Sequence, residues 1–248
     1  MRPVTLLEGR HQPDADASAG STQPREEFVY VAPDDARARP LLTDLEREYD
    51  ARYGDIFGEP ASVELSRYPA EEFSAPRGAF VLLLRDGVAV AGGAFKTLDE
   101  HTTELKRIWT AAEHRREGLA RRVVFELEEE SRRRGFTRSY LTTGPRQPEA
   151  VRLYLSAHWT PLFDTTEPPE RVGIHGFAKS LTDEPLNVEE VRARHDAEQA
   201  EFRAHTPEFA ARLAAEAAET AAAPAEAVAA AHQATPLASA TDSPGASS

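Results

Sequence analysis

Glutamate, arginine and glycine stand close together between Glu104 and Ala120, in an order suited to holding an anion. A strand-like run from Glu104 to Thr110, ending in Ile108, Trp109 and Thr110, leads into a short polar turn. The turn closes with Arg115-Arg116-Glu117-Gly118, and Leu119, Ala120 and Arg121 begin a long helical pattern. The first amides of a helix have no intrahelical acceptor and the helix dipole is positive there, so a phosphate is favoured at such a place. Gly118 would let the backbone approach that anion with no Cβ in the way. The plain alternative is an ordinary basic helix start. No Ser/His/Asp arrangement is legible, and the eight histidines are scattered without metal-ligand spacing, so no metal is expected. The absence of cysteine excludes thiolate nucleophiles, disulfides and Cys-based metal sites.

The elements that must position this stretch can be read on either side of it. Residues 1–26 are rich in Asp, Ala, Ser, Pro and Gln and read as a disordered tail. Phe28 to Val31 is a first short strand. Leu41, Leu42, Leu45, Tyr49 and Tyr53 then form a helical stripe, which Gly54 is expected to cap. Residues 55–76 read as a loop with one short helix near Pro69 to Phe73. Two apolar runs, Ala79 to Leu84 and Val88 to Phe95, flank Arg85-Asp86-Gly87, a strong hairpin signal. Gly92-Gly93 suggests a bulge or the close approach of another backbone.

The helix after the turn runs to about Arg134, with Leu119, Ala120, Val123, Val124 and Leu127 on its apolar face. Glu126, Glu128, Glu129, Glu130 and Arg132 are expected outside that face, and Gly135 is the natural cap. A strand (Ser139 to Thr143), a short helix (Glu149 to Ala157) and two last strands (Trp159 to Phe163, Gly173 to Leu181) follow. The order predicts a mixed, mostly antiparallel α/β sheet flanked by helices, spanning residues 27–181. Beyond Leu181 twelve acidic and four basic side chains carry eight of the thirteen net negative charges. That segment, 182–248, reads as a solvated helix of low stability followed by disorder. No apolar run approaches the roughly 20 residues needed to cross a bilayer, and the N-terminus lacks the apolar core of a signal peptide. A cytoplasmic protein without membrane association is expected, and the acidic balance argues against nucleic-acid binding.

The order of elements, the turn Arg115-Arg116-Glu117-Gly118-Leu119-Ala120, and the pairs Gln147-Pro148 and Leu153-Tyr154 resemble the GCN5-related N-acetyltransferase (GNAT) family. The run Glu104-Leu105-Lys106-Arg107 resembles small bacterial members. The resemblance covers about Phe28 to Leu181 and implies the GNAT fold, with acetyl-CoA as co-substrate. It makes Arg115 to Arg121 the pyrophosphate seat. Ile108, Trp109 and Thr110 become the strand along which pantetheine pairs, although Trp109 also reads as a core residue. Tyr154 matches the tyrosine that protonates the departing sulfur; its alternative is an aromatic packed on the buried face of its helix. Glu104 lies where histone-acetylating members carry a general base, and it reads equally well as a strand glutamate paired with Lys106. Such members usually end the short helix with a glycine, where this chain has His158, which would need a left-handed backbone.

Three functions follow from that resemblance. The first is acetyl transfer to a primary amine of a small molecule by direct attack in a ternary complex, since no cysteine can carry the acetyl group. The second moves acetyl to a protein N-terminus or lysine. The third is a non-catalytic acyl-CoA-binding module. Tyr49, Tyr53, Phe57 and Tyr68 could wall the acceptor site, with Asp50, Asp55 and Glu59 drawing a cation. Family members often pair, so a homodimer is an expectation.

Overall fold

The computed structural model describes residues 24–57 and 68–207, together with residues 62, 65, 211, 212, 214, 215 and 218. The expectations for residues 1–23 and for the segment beyond 218 lie outside the described residues. Seven strands form one sheet: β1 (Glu26–Tyr30), β2 (Gly78–Arg85), β3 (Val88–Thr97), β4 (Thr102–Thr110), β5 (Arg138–Thr143), β6 (Thr160–Pro161) and β7 (His175–Ser180). Their order is β1-β2-β3-β4-β5-β7-β6, and every pairing is antiparallel except β4 with β5. Among the described residues these helices accompany them: α1 (Arg39–Phe57), α2 (Leu119–Arg133), α3 (Pro148–Ser156), α4 (Pro169–Val172) and α5 (Val188–His205).

Local chemistry explains the boundaries. Asp86 and Gly87 both take positive φ, 51° and 83°, as a two-residue type I′ hairpin requires. Gly135, at φ 88°, ends α2. There Phe136 N–H donates to Ser131 O (3.1 Å) and Gly135 N–H to Arg132 O (2.9 Å), the paired bonds of a Schellman cap. The same pair closes α3, from Trp159 N–H to Tyr154 O (3.0 Å) and His158 N–H to Leu155 O (3.1 Å). His158 therefore occupies the glycine position with φ 61°, so the turn is kept and the side chain bears the left-handed strain. Gly54 is no cap; α1 runs through it to Phe57.

The sheet separates two cores. On one face Phe95, Leu105, Leu141 and Phe177 pack with Leu119, Val123 and Leu127 of α2 and Tyr154 of α3. On the other, Leu82, Ala94 and Trp109 pack with Leu41 and Leu45 of α1 and with Phe73 of a short 3-10 helix (Ala70–Phe73). Both glycines of the Gly92-Gly93 pair are needed. A Cβ at Gly92 would come within 2.8 Å of Val81 O, and one at Gly93 within 2.7 Å of Ile108 Cδ1.

Two expectations change. Glu128 is not outside the apolar face of α2: it is buried, and its carboxylate accepts from Lys179 Nζ of β7 (2.9 Å) and from Trp159 Nε1 (2.9 Å). An interior carboxylate needs such partners, and the helical pattern alone cannot supply them. The segment after Leu181 is not wholly solvated either. Val191 and His195 of α5 are buried against the sheet, and His195 Nδ1 lies 2.8 Å from Tyr140 Oη. Gly176 leaves the space for this contact, since a Cβ there would lie 2.6 Å from the His195 ring.

Candidate active site

The site begins where β4 and β5 part. They pair only from Thr102 to Glu104 against Arg138 to Tyr140. At that closed end Thr103 Oγ1 lies 2.8 Å from Ser139 Oγ and 3.1 Å from Ser131 Oγ, joining both strands to α2. Beyond it, Leu105 to Thr110 have no strand partner on the β5 side. The β3–β4 register slips between Gly92 and Ala94, and Arg107 of the bulged stretch takes φ 60°. A bulge bends its strand and raises local twist, so β4 turns away from β5 here. The result is a wedge whose β4 wall offers free backbone groups.

At the open end of the wedge β4 leads into a 3-10 turn (Ala112–His114) and then α2. Arg116 and Gly118 take φ 69° and 79°, and no atom lies within 4 Å of where a Cβ on Gly118 would stand. Among the described residues no acceptor is found for the amides of Arg116, Glu117 and Gly118, and those of Leu119, Ala120 and Arg121 lie in the first helical turn. The Glu117 carboxylate is drawn aside by Arg85 Nη2 (2.8 Å) and His114 Nδ1 (3.2 Å), contacts that hold its pKa below the usual range. Arg116 and Arg121 are exposed and have no acidic partner among the described residues. Arg115 is anchored on α1, with Nη2 2.8 Å from Glu48 Oε2. In the wall itself, the Thr110 hydroxyl is buried without any partner.

Helix α1 roofs the wedge. Glu48 holds Arg115 and also Arg52, while Arg52 reaches Glu149 at the start of α3. Asp44 accepts from Trp109 Nε1 (3.1 Å), which commits the Trp109 side chain to the α1 core and leaves only its backbone facing the wedge. Tyr53 lies over Gly144, where a Cβ would come within 2.2 Å of its hydroxyl oxygen, and that oxygen accepts from Arg146 N–H (3.2 Å). Tyr53 is thus a structural clamp. The side chains of Asp55, Phe57 and Glu59 lie outside the described residues.

Tyr154 is buried between Trp159 (5.9 Å between centroids) and Phe177 (5.5 Å). Desolvation, and then the neighbouring phenol of Tyr49, push its pKa above the usual phenol value. Its hydroxyl makes no hydrogen bond among the described residues, so it stands as a neutral O–H able to give a proton. Glu104 is buried, with one oxygen 3.0 Å from Lys96 Nζ and the other 2.8 Å from Lys106 Nζ. Desolvation pushes its carboxyl up, but the two ammonium groups outweigh it and hold the pKa below the ordinary value. Both lysines rest on the Tyr68 ring, at 4.7 and 5.1 Å. The pairing with Lys106 is the Glu104 geometry described, and it leaves neither oxygen free.

The structure therefore brings the amide-lined turn, the β4 edge and α1 around one wedge. Arg107 was not legible as a site residue, because nothing in the sequence marks a left-handed arginine. Chemically the arrangement can seat a polyanion at the turn, pair an extended chain along β4 and donate a proton from Tyr154.

Comparison with known proteins agrees with this geometry. Residues 42–159 match the model of the acetyltransferase (GNAT) family. Over that segment, a little under half of its length, the chain is similar to the GNAT family. It is 37% identical over 93 residues to the uncharacterised N-acetyltransferase YsnE of Bacillus subtilis strain 168, a match covering 35% of this chain and 62% of that protein. The chain thus spans less than two thirds of that relative's length. A GNAT-family acetyltransferase from Staphylococcus aureus Mu50, 12% identical, shares the fold with a TM-score of 0.51, covering 64% of this chain and 100% of that one. A PaiA N-acetyltransferase from Thermoplasma acidophilum, solved with coenzyme A, is 16% identical over 63% of this chain and 99% of that one, with a TM-score of 0.48. Among the described residues no helix is long and apolar enough to cross a membrane, and no group of three or more His, Asp or Glu could hold a metal ion.

Proposed function

We propose that this protein is an N-acetyltransferase that moves the acetyl group of acetyl-CoA to a primary amine of a small molecule. The observation that carries the reading is the pairing of a free β4 edge with a turn of unpartnered amides. The residues present fit that co-substrate. The amides from Arg116 to Ala120 suit a pyrophosphate, with Arg116 and Arg121 adding positive charge. The backbone of Ile108 to Thr110 suits the amides of pantetheine, and the unpartnered Thr110 hydroxyl gains a partner there. Arg115 and Glu117 act by holding the turn in place through Glu48 and Arg85.

In the reaction an N–C bond forms, a C–S bond breaks, the nitrogen loses a proton and the sulfur gains one. Tyr154 supplies the sulfur's proton, because burial keeps its phenol neutral. Glu104, with both oxygens on lysines, serves better to fix Lys96 and Lys106 than to take the proton of the amine, which leaves to solvent. The ion pairs that tie α1 to Arg115 and, through Arg52, to Glu149 support a small acceptor over a protein chain. The test is release of free CoA from acetyl-CoA with a panel of amines. Tyr154→Phe should lower kcat roughly 10- to 100-fold; wild-type turnover in that variant would remove Tyr154 from the mechanism.

A further inference from the structure

Besides the exposed Arg116 and Arg121 of the turn, one half-buried arginine of β4 has no acidic partner among the described residues. Arg107 sits on the bulge with φ 60°, a left-handed conformation that is unfavourable for a non-glycine residue and that collects at functional sites. Its guanidinium is half-buried and lies over the Phe73 ring, Cζ 4.0 Å from the centroid. One Nη2 hydrogen is used on Leu65 O at 2.6 Å. Among the described residues no carboxylate pairs with it. Glu104, two strand positions before Lys106, has each oxygen on a lysine. Asp44 is held by Trp109 and Arg47, and Glu48 by Arg115 and Arg52. Burial lowers the arginine's pKa, with the Tyr49 phenol acting the other way. A guanidinium withdrawn from water without a counter-charge is costly, and its planar fork is the donor set that matches a carboxylate.

We infer that Arg107 is the seat of a carboxylate on the acceptor, so that the amine substrate is amino-acid-like and carries its own anion. The inference rests on the acetyltransferase reading for the chemistry and on the Arg107 geometry for the ligand. Arg107 lies on β4, the strand whose unpaired edge walls the wedge. The acceptor would lie with its carboxylate on the bulge and its amine toward the wedge. Phe73 fixes the plane of the guanidinium and Leu65 O its rotation, so the remaining N–H groups are aimed before the ligand arrives.

The test uses the full chain with acetyl-CoA and matched acceptors that differ only at the anion: glycine and glycinamide, methionine and methioninamide. The wild type should favour the acid of each pair through a lower KM. Arg107→Met should lower the acid-over-amide ratio of kcat/KM roughly 10- to 100-fold, the range of a lost charge-assisted hydrogen-bond pair. Arg107→Lys, which keeps the charge but not the fork, should fall between. Calorimetric CoA binding shows that both variants are folded. Equal use of acid and amide by the wild type, or an equal fall on both in Arg107→Met, overturns the inference. If no acceptor releases CoA, the acetyl-transfer reading fails by itself, and titration of the same acids into acetyl-CoA-loaded protein decides the seat. Acid binding that Arg107→Met abolishes upholds it; no binding, or unchanged binding, overturns it.

Discussion

Lowering the pH from 7 to 5 should destabilise this fold through His175. The ring is buried on β7, perpendicular to Phe163 with 4.7 Å between centroids, and its Nδ1 has no hydrogen-bond partner. Burial lowers its pKa from 6.5 to about 4; the backbone at Gly173 and Thr143 pulls the other way, and His195 of α5 adds to the depression. As the pH falls the unfolded chain takes up a proton near 6.5, whereas the folded chain does so only near 4. The stability contributed by the neutral ring is complete above 6.5 and is lost as pH falls from there to about 4. At about 1.4 kcal/mol per pH unit the whole interval is worth about 3 kcal/mol, of which about 2 kcal/mol falls between pH 7 and pH 5. Urea denaturation of the wild type and of His175→Phe at pH 7, 6 and 5 reads this directly. His195 and the carboxylates titrate in both proteins, so the difference in pH slope belongs to His175. The wild type should lose about 2 kcal/mol more than the variant over that range. Parallel stability curves would refute the reasoning.

Two further outcomes probe the wedge. Gly118→Val should remove measurable CoA binding in calorimetry while the circular dichroism stays native. The fold has room for a Cβ there, but φ 79° resists valine and the side chain would stand in the anion seat; unchanged affinity would sink the phosphate assignment. Glu104→Gln leaves Lys96 and Lys106 without their counter-charge and should cost about 3 kcal/mol in denaturant unfolding. The acidic limb of the pH–rate profile should survive it; loss of that limb at unchanged stability would return Glu104 to the role of general base.

The parts of this fold that are local in sequence were legible in it. Asp86-Gly87 gave the hairpin because a type I′ turn needs two left-handed residues, and Gly135 gave the end of α2 for the same reason. Gly118 marked the start of α2, because a glycine directly ahead of an amphipathic pattern suits the left-handed backbone found there. What escaped depends on distant partners. Glu128 looked like one more solvent-facing acid on a helix rich in them, and only Lys179, some fifty residues on, makes it an interior group. His195 looked like part of a polar helix, and only the bare backbone of Gly176 lets it dock on Tyr140. His158 looked like a fault in a glycine position, yet the cap bonds formed around it unchanged. That no carboxylate among the described residues pairs with Arg107 was beyond reach for a different reason: it is defined by which carboxylates are already engaged elsewhere.

The open edge of β4 is held by opposed anchors rather than by a lack of structure. If β4 and β5 continued their parallel pairing past Glu104, the backbone of Leu105 to Thr110 would be satisfied internally and could receive nothing. The bulge at Arg107 prevents this by bending β4, and Gly93 opposite it accommodates Ile108, whose Cδ1 occupies the space a Cβ would need. Trp109 then ties the end of β4 to Asp44 and the α1 face. On the other side of the wedge, Tyr154 and Trp159 pack against Phe177, holding β7 and its neighbour β5 to the α3 face. Trp159 is itself fixed by Glu128, which Lys179 of β7 also grips. Each strand is thus pulled toward a different core, which holds the two apart. Binding along β4 then needs no strand separation, which is how a preorganised edge converts hydrogen bonds into affinity. In this view Trp109 serves the co-substrate by where it holds the strand and not by touching anything in the wedge.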